Sequence, residues 1–281
     1  MDRVYLIIAY VMASILGLCF GSFLNVLIYR LPRGMSIVSP PSHCICCNHR
    51  IRWYDNIPVL SYLVLRGRCR DCGARISLRY PLVELGNCLL WAGCVAWFSG
   101  YGIGMVVVAC IAGSALIVVS VSDSETMLIP DSMLVILALC GIAALLLDVF
   151  GVGVGIGWQS RLIGMAAALV FFAAVYFGCR LVTGKEGLGF GDVKLMTAAG
   201  LLLGWQGLIV AVLIASLSAA VCMGIFSVFR GRRRLREEHT QEDEKEIPAK
   251  AFPFAPFLAV AVGITLFFGQ PLISWYLGLF L

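Results

Sequence analysis

The stretch GLGFGDVKLM, residues 187–196, places three alternating glycines and Asp192 directly before an apolar run. An acid at the start of an apolar helix is unexpected in this chain, whose 281 residues are 60% hydrophobic and only 13% charged. The mean hydropathy is +0.94. Soluble domains carry about 25% charged and about 45–50% apolar residues. The composition therefore predicts an all-α polytopic membrane protein.

The hydropathy pattern divides the chain into apolar segments close to the length that crosses a bilayer, about 20 residues. We expect about eight transmembrane helices, of which the shortest begins directly after Asp192. The first apolar run exceeds the roughly 7–15 residues of a signal peptide, so we expect a permanent helix there. The eight segments are 4–29, 82–98, 104–121, 132–150, 162–180, 193–205, 207–229 and 255–279.

Lysine and arginine are concentrated in two loops, which hold 16 of the 21 basic residues. Nine arginines lie in residues 30–79, and seven basic residues lie in residues 230–250. Because basic loops remain on the cytoplasmic side of a membrane, both loops are predicted to be cytoplasmic and both termini periplasmic. The net charge of +5 therefore indicates topology and contact with anionic membrane lipid, and we expect no nucleic-acid partner.

The first basic loop contains a short internal repeat, CICCNHRI at 44–51 and CRDCGARI at 69–76. Each Cys-x-x-Cys is followed by Asn or Gly, the residues that most readily adopt a left-handed turn. Two such turns supply four thiolates to one tetrahedral Zn²⁺, and a reducing cytoplasm disfavours disulfides. The predicted ligands of this structural zinc are Cys44, Cys47, Cys69 and Cys72. Cys46, His43 and His49 lie close enough in sequence to replace one of them, and four free thiols are the alternative.

Ionisable residues near the membrane are candidates for chemistry, because a charge in lipid is costly. Asp131 follows Pro130 at a predicted helix start, where capping explains it. Asp192 is also placed to cap a helix, and Glu84 requires no more than a capping role. Asp123 ends the third predicted helix, where a carboxylate opposes the helix dipole and capping gives no explanation. We therefore predict a cross-helix pair of Asp123 and Asp192.

Two carboxylates that share a site hold one proton between them, because both cannot easily ionise. The ionised acid takes a proton from water while the neutral acid donates to a substrate carbonyl, and the result is amide hydrolysis. A proton-coupled transporter would use the same acids to cycle protons. A zinc-stabilised membrane scaffold would also accommodate these features, and composition does not distinguish the three classes.

These features divide the chain into five predicted segments. They are a first transmembrane helix at 1–29, a small cytoplasmic zinc-binding domain at 30–81, a transmembrane catalytic core at 82–229, a charged cytoplasmic loop at 230–254 and a last transmembrane helix at 255–281.

The motifs identify the chain as similar to the type IV prepilin leader peptidase/N-methyltransferases, bacterial inner-membrane aspartic proteases of the GxGD type. The resemblance rests on GSFLNVLIYRLP at 21–32, on the cysteine repeat with its flanks, on DSETMLIPD at 123–131 and on GLGFGDVKL at 187–195. Together these stretches extend over roughly the first two-thirds of the chain. The paired cysteine motif distinguishes this family from other proteases that share GxGD alone.

The resemblance implies that Asp123 and Asp192 are the catalytic pair. It also implies that the substrates are prepilins or type II secretion pseudopilins, which are cleaved at the cytoplasmic face and then N-methylated with S-adenosylmethionine. A peptidase without methylation is the alternative. The suggested region for the methyl donor is Gly21, Asn25, Arg30 and Glu84. Glu125 replaces an aspartate that many members carry, and we expect it to tune the site. The particular substrate and the oligomeric state do not follow from the sequence.

Overall fold

The computed structural model describes residues 3–184, 188–237 and 253–278, which form an all-helical fold as the composition predicts. Gly187 and most of the predicted loop at 230–254 lie outside the described residues. The α-helices among the described residues are α1 (Arg3–Arg30), α2 (Leu60–Val64), α3 (Arg79–Phe98), α4 (Ile103–Thr126), α5 (Asp131–Val149), α6 (Trp158–Thr183), α7 (Phe190–Glu237) and α8 (Ala255–Gly278). Short 3₁₀ helices occupy Leu31–Arg33, Trp53–Asn56 and Ser99–Tyr101.

Within the described part of the chain, seven helices are long and apolar enough to cross a membrane, namely all except α2. The expected number was about eight, and the described residues give seven long helices because the predicted segments 193–205 and 207–229 both lie in α7. This helix is interrupted at Gly204, whose φ of 74° and ψ of 172° are not helical. Hydropathy separates the two segments at this point, but the backbone breaks there without forming a loop.

Contacts between helix termini define two ends of the bundle. At one end, which we call the aspartate end, Asp123 in the last turn of α4 lies close to Asp192 in the first turn of α7 and to Ala255 at the start of α8. At the opposite end, the arginine end, Asp148 near the end of α5 pairs with Arg161 near the start of α6. Assignment of the aspartate end to the cytoplasm stays a prediction.

Glycines permit the closest approaches between helices. A Cβ atom at Gly164 in α6 would lie 2.6 Å from the carbonyl oxygen of Gly200 in α7. A Cβ atom at Gly21 in α1 would lie 2.7 Å from the Cα of Glu84 in α3. Small residues are typical of membrane-helix contacts, because helices in lipid associate through close packing. Much of α1 exposes large apolar side chains, as expected for a surface that faces lipid.

Residues 31–78, which we call the cysteine segment, pack against the aspartate end of the bundle. Directly after this segment, Arg79 donates from Nη1 to both carboxylate oxygens of Glu125 at 2.6 Å. Within the segment, the backbone N–H of Val59 donates to Oε2 of Glu84 at 2.7 Å. The cysteines and the acidic motifs therefore lie at the same end of the molecule.

Candidate active site

Two tight turns bring the four predicted cysteine ligands together. In each turn the third residue after the first cysteine is a cysteine, and the next residue has a positive φ, 55° at Asn48 and 72° at Gly73. The backbone N–H groups of Asn48 and Gly73 donate to the carbonyls of Cys44 and Cys69, at 2.8 and 3.0 Å. The sulfurs of Cys44, Cys47, Cys69 and Cys72 all lie within 4.8 Å of one another.

The geometry of this cluster fits a metal ion. The Sγ atoms of Cys44 and Cys72 are 3.8 Å apart, and a tetrahedron with Zn–S bonds of about 2.3 Å has edges of about 3.8 Å. Hydrogen bonds from the backbone at Cys47 and Cys46 lower the pKa of the Cys44 thiol to about 6, which favours the thiolate that a metal requires. The alternatives Cys46, His43 and His49 are not part of the cluster.

An ion pair connects the second cysteine turn to the rest of the segment. Asp55, in the 3₁₀ helix Trp53–Asn56, accepts hydrogen bonds from Nε and Nη2 of Arg70, the shortest at 2.6 Å. The Arg70 guanidinium lowers the pKa of the Asp55 carboxyl, so the pair persists at neutral pH. This bidentate contact has a defined geometry, so Arg70 orients the chain that leads to Val59.

The two predicted catalytic aspartates are brought together from separate helices. Asp123 is 7% exposed and Asp192 is 6% exposed, and the two carboxylates are close enough to repel each other. The backbone of Ala255 lies next to the Asp123 carboxylate, and the backbone of Gly189 lies next to the Asp192 carboxylate. Oδ1 of Asp192 is buried and accepts no hydrogen bond from the described residues. The arrangement leaves an acceptor available for water or substrate.

Neighbouring acids at this end differ from the pair because each has a cationic partner. Glu125 is paired with Arg79 at 2.6 Å, and Asp131 is paired with Lys194 at 2.7 Å. Among the described residues, no lysine or arginine lies within ion-pair distance of Asp123 or Asp192. The negative charges of Glu125 and Asp131 are thus balanced by cations, whereas those of Asp123 and Asp192 would repel each other.

The expectation that the Asp131 side chain caps α5 is wrong. The helix begins at Asp131, one residue earlier than predicted, so its N-cap residue is Pro130 and no side-chain capping bond forms. Asp131 is already the first helical residue, so its carboxylate lies beside the helix start, where it is 75% exposed and accepts a hydrogen bond from Lys194. Lys194 therefore pairs with Asp131, away from the buried acids.

The two acidic motifs touch at Gly191. A Cβ atom at this position would lie 3.0 Å from Cδ1 of Ile129, which belongs to the short connection between α4 and α5. At the start of that connection, Met127 has a φ of 56° and its N–H donates to the carbonyl of Asp123 at 2.9 Å. The missing side chain of Gly191 thus lets the connection lie against the helix that carries Asp192.

The residues suggested for the methyl donor meet where α1, α3 and the cysteine segment join, but most of them have packing roles. Gly21 provides the close approach of α1 to α3 described above. Nδ2 of Asn25 donates to the carbonyl of Tyr80 at 3.1 Å, and Glu84 accepts from Val59. The Arg30 guanidinium donates to the carbonyls of Ser36 and Pro40, at 2.9 and 2.6 Å.

A cleft of about 420 Å³ lies between α1 and the cysteine segment. Its polar lining includes Ser22 and Arg30 from α1 and Ser42 and Asn56 from the cysteine segment. Phe23 is among its apolar lining residues. Of the four suggested donor-binding residues, only Arg30 lines this cleft.

Sequence reasoning missed the polar residues that connect distant parts of the chain. Arg79 and Lys194 were not predicted to be partners of acids, and the Asp148–Arg161 pair was not predicted. The only available signal was that Asp148 and Arg161 flank one short glycine-containing connection at 150–157. Pairing across helices depends on how the helices pack, which spacing along the chain does not determine.

Comparison with known proteins divides the chain at the boundary between α3 and α4. Residues 15–98 match the family described as "Bacterial Peptidase A24 N-terminal domain", and residues 110–224 match the "Type IV leader peptidase family". The first region contains the four clustered cysteines, and the second contains both buried aspartates. No solved structure matches the chain.

Several curated relatives share the name "Prepilin leader peptidase/N-methyltransferase". The relative from Burkholderia pseudomallei strain 1026b is 36% identical, with 92% of this chain and 85% of the relative covered. The relative from Aeromonas hydrophila is 38% identical, with coverages of 94% and 92%. The relative from Pseudomonas putida is 36% identical, with coverages of 92% and 90%.

Proposed function

The chain belongs to the type IV leader peptidase family, and from that membership we propose that Asp123 and Asp192 activate the water with which it cleaves its substrate. The protein is a membrane peptidase with N-methyltransferase activity that removes prepilin leaders, since its relatives carry this name over most of their length. A proton-coupled transporter, which composition left open, is not favoured. We extend the substrates to type II secretion pseudopilins and place cleavage at the cytoplasmic face of the inner membrane.

The observation that carries the catalytic assignment is the burial of two adjacent carboxylates without a cationic partner. Two such acids hold one proton between them, because the charge of each opposes ionisation of the other. The ionised aspartate accepts a proton from water, and the water oxygen attacks the carbonyl carbon of the scissile peptide bond. The protonated aspartate donates to the carbonyl oxygen, which gives a tetrahedral carbon with two hydroxyls. The proton taken from water then passes to the leaving amine as the carbon–nitrogen bond breaks, and one hydroxyl returns its proton to the second aspartate.

The ion pairs of Glu125 and Asp131 support the choice of Asp123 and Asp192 as the catalytic acids. Each is paired with a cation and is more exposed than Asp123 or Asp192, so neither is a buried acid that shares a proton with a neighbouring acid. Glu125, two residues after Asp123, is fixed through Arg79 to the start of α3, and we assign it the role of positioning the end of α4.

The catalytic assignment is tested with Asp123→Asn and Asp192→Asn in the full-length protein, co-expressed with a prepilin and followed by mass spectrometry of the substrate. Each variant should insert normally and slow leader removal by about 10²- to 10⁴-fold, the usual contribution of a positioned acid or base. The matched control Asp131→Asn removes an exposed, paired acid and should leave cleavage within a few-fold of wild type. Wild-type cleavage by Asp192→Asn would exclude the pair.

We further propose that Cys44, Cys47, Cys69 and Cys72 hold a structural Zn²⁺. The four-thiolate donor set is the one typical of closed structural zinc sites. The cysteine segment exposes many of its large apolar side chains, including Ile45, Trp53 and Leu63, and therefore has little core of its own. Metal binding would contribute much of its folding free energy.

S-adenosylmethionine is the methyl donor that the second activity implies, and we place it in the cleft between α1 and the cysteine segment. Ser22 and Asn56 would supply hydrogen-bonding groups of the kind that orient ligands in apolar clefts, and Arg30, whose guanidinium also donates to two backbone carbonyls, would supply a positive charge for the donor's carboxylate. When bound, the donor supplies an electrophilic methyl group to the new N-terminal amine. Calorimetry with Asn56→Ala, in detergent, should show weakened donor binding while leader removal continues, and unchanged binding would place the donor elsewhere.

A further inference from the structure

The arginine end of the bundle contains an ion pair that hydrolysis does not use. Nε of Arg161 donates to Oδ2 of Asp148 at 2.6 Å, and the two side chains are 0% and 1% exposed. Charged side chains buried within a membrane protein are costly and usually have a specific role. Replacing such a pair with apolar residues of similar volume is often neutral for stability, so stability alone does not account for this one.

Arg161 also binds the helix that carries Asp192. Its Nη1 donates to the carbonyls of Leu202 and Leu201, the latter at 3.4 Å. These carbonyls belong to the last turn before the break at Gly204, where an α-helix has no backbone donors left to satisfy them. A guanidinium at a helix C-terminus is also favoured by the helix dipole. Arg161 therefore caps the helical part of α7 that precedes Gly204, residues 190–203, which we call the Asp192 segment.

The backbone of α6 holds the same end of the Asp192 segment. Gly164, one turn after Arg161, is so close to Gly200 that a Cβ atom on Gly164 would lie 2.6 Å from the Gly200 carbonyl oxygen. The cap and this contact fix the segment about ten residues from Asp192, or about 15 Å along the helix axis. A rigid helix transmits that placement to its other end.

We propose that Arg161, held in place by Asp148, is a positioning residue for Asp192. The inference rests on the proposed catalytic role of Asp192. Without the cap, the last turn of the Asp192 segment loosens and the segment shifts along α6, so Asp192 no longer faces Asp123 at the correct separation. A misplacement of about 1 Å costs about 10²-fold in rate.

The test uses the full-length double variant Asp148→Leu/Arg161→Met, which removes both charges and retains the volume. It should insert normally and methylate a synthetic peptide with a free N-terminus at the wild-type rate. Its kcat for leader removal should fall by about 10²-fold with KM unchanged. A purely structural pair would instead give wild-type kcat in every correctly inserted molecule, and that result would overturn the proposal.

Arg161→Lys keeps the proposal testable if the double variant does not insert. Lysine preserves the charge and one donor but cannot bind Asp148 and the α7 carbonyls at the same time. Its kcat should therefore fall by a smaller factor than that of the double variant, with KM unchanged. A wild-type kcat in Arg161→Lys would also overturn the proposal. The control Arg180→Met removes an exposed arginine from the other end of α6 and should leave kcat unchanged.

Asp192→Asn separates the positioning role of Arg161 from the catalytic role of Asp192. If it is inactive while the double variant is fully active, only the positioning role fails, whereas activity in Asp192→Asn removes the catalytic assignment itself.

Discussion

At Gly191, the absence of a side chain determines how the two acidic motifs meet. In Gly191→Ala the new Cβ would lie 3.0 Å from Cδ1 and 3.3 Å from Cβ of Ile129, so the Ile129 side chain, or the connection that carries it, must shift by a few tenths of an ångström. We expect leader removal to fall by about ten- to a hundredfold, with methylation of a free N-terminal peptide unchanged. Both activities are measured on the purified protein.

Two further variants isolate this contact. Gly191→Ala/Ile129→Val lacks Cδ1 of the isoleucine and should recover part of the cleavage rate, because the closest contact is removed. The control Gly86→Ala introduces the same methyl group in α3, where nothing lies within 4 Å, and should have no effect. Equal losses in Gly86→Ala and Gly191→Ala would contradict the proposed role of the Ile129 contact.

Individual acids were predictable from the sequence where local rules apply. Asp123 stood out because a carboxylate at the end of a helix opposes its dipole, and the structure buries it beside Asp192. The same type of reasoning gave Asp131 a capping bond that does not form, since the helix begins at Asp131 itself. Arg161 was missed because its partners are 13 and about 40 residues away.

Among the elements, the contact between α3 and the cysteine segment depends on one buried carboxylate. Glu84 accepts the N–H of Val59, which is held at φ 61° and ψ −48°, a conformation that is strained for a β-branched residue and costs about 1–3 kcal/mol. Glu84→Ala should release this turn, so trypsin should cleave the arginine-rich cysteine segment faster in intact membranes. The control Leu85→Ala changes an exposed neighbour, and comparable acceleration in that variant would argue against a specific role for Glu84.

Element boundaries followed from hydropathy except where the backbone breaks inside an apolar run. The predicted limits of the apolar segments lie near the ends of α3, α4 and α5, because polar or glycine-rich connections separate these helices. At Gly204 no polar connection exists, and the break instead depends on backbone conformation and on Arg161, which binds the preceding carbonyls. Neither is visible in a hydropathy profile.

For the whole molecule, the proposed zinc site predicts that the cysteine segment folds separately from the helix bundle. Cys69→Ser should lose bound zinc, measured by elemental analysis of the purified protein, and should make the segment sensitive to protease while the bundle remains inserted. Cys46→Ser is the matched control, because Cys46 lies outside the cluster and its replacement should retain one zinc per chain. Full zinc content in Cys69→Ser would exclude this residue as a ligand.

The overall architecture was largely accessible from composition and motif spacing, whereas the assembly of its parts was not. Hydropathy predicts a helical membrane protein, and the repeated Cys-x-x-Cys turns predict a four-sulfur cluster; both are present. The attachment of the cysteine segment to the bundle depends on Glu84, whose partner Val59 lies 25 residues away, and α3 is joined to the end of α4 through Arg79 and Glu125, 46 residues apart. Such contacts are specified by three-dimensional packing.

The interruption at Gly204 has a consequence for contact with lipid. The Asp192 segment has 14 residues and is therefore about 21 Å long, well below the roughly 30 Å of a bilayer's hydrocarbon layer. Most residues of the segment are buried by neighbouring helices, so protein rather than lipid surrounds it. A helix too short to cross a bilayer is thereby shielded from acyl chains, which removes the cost of hydrophobic mismatch.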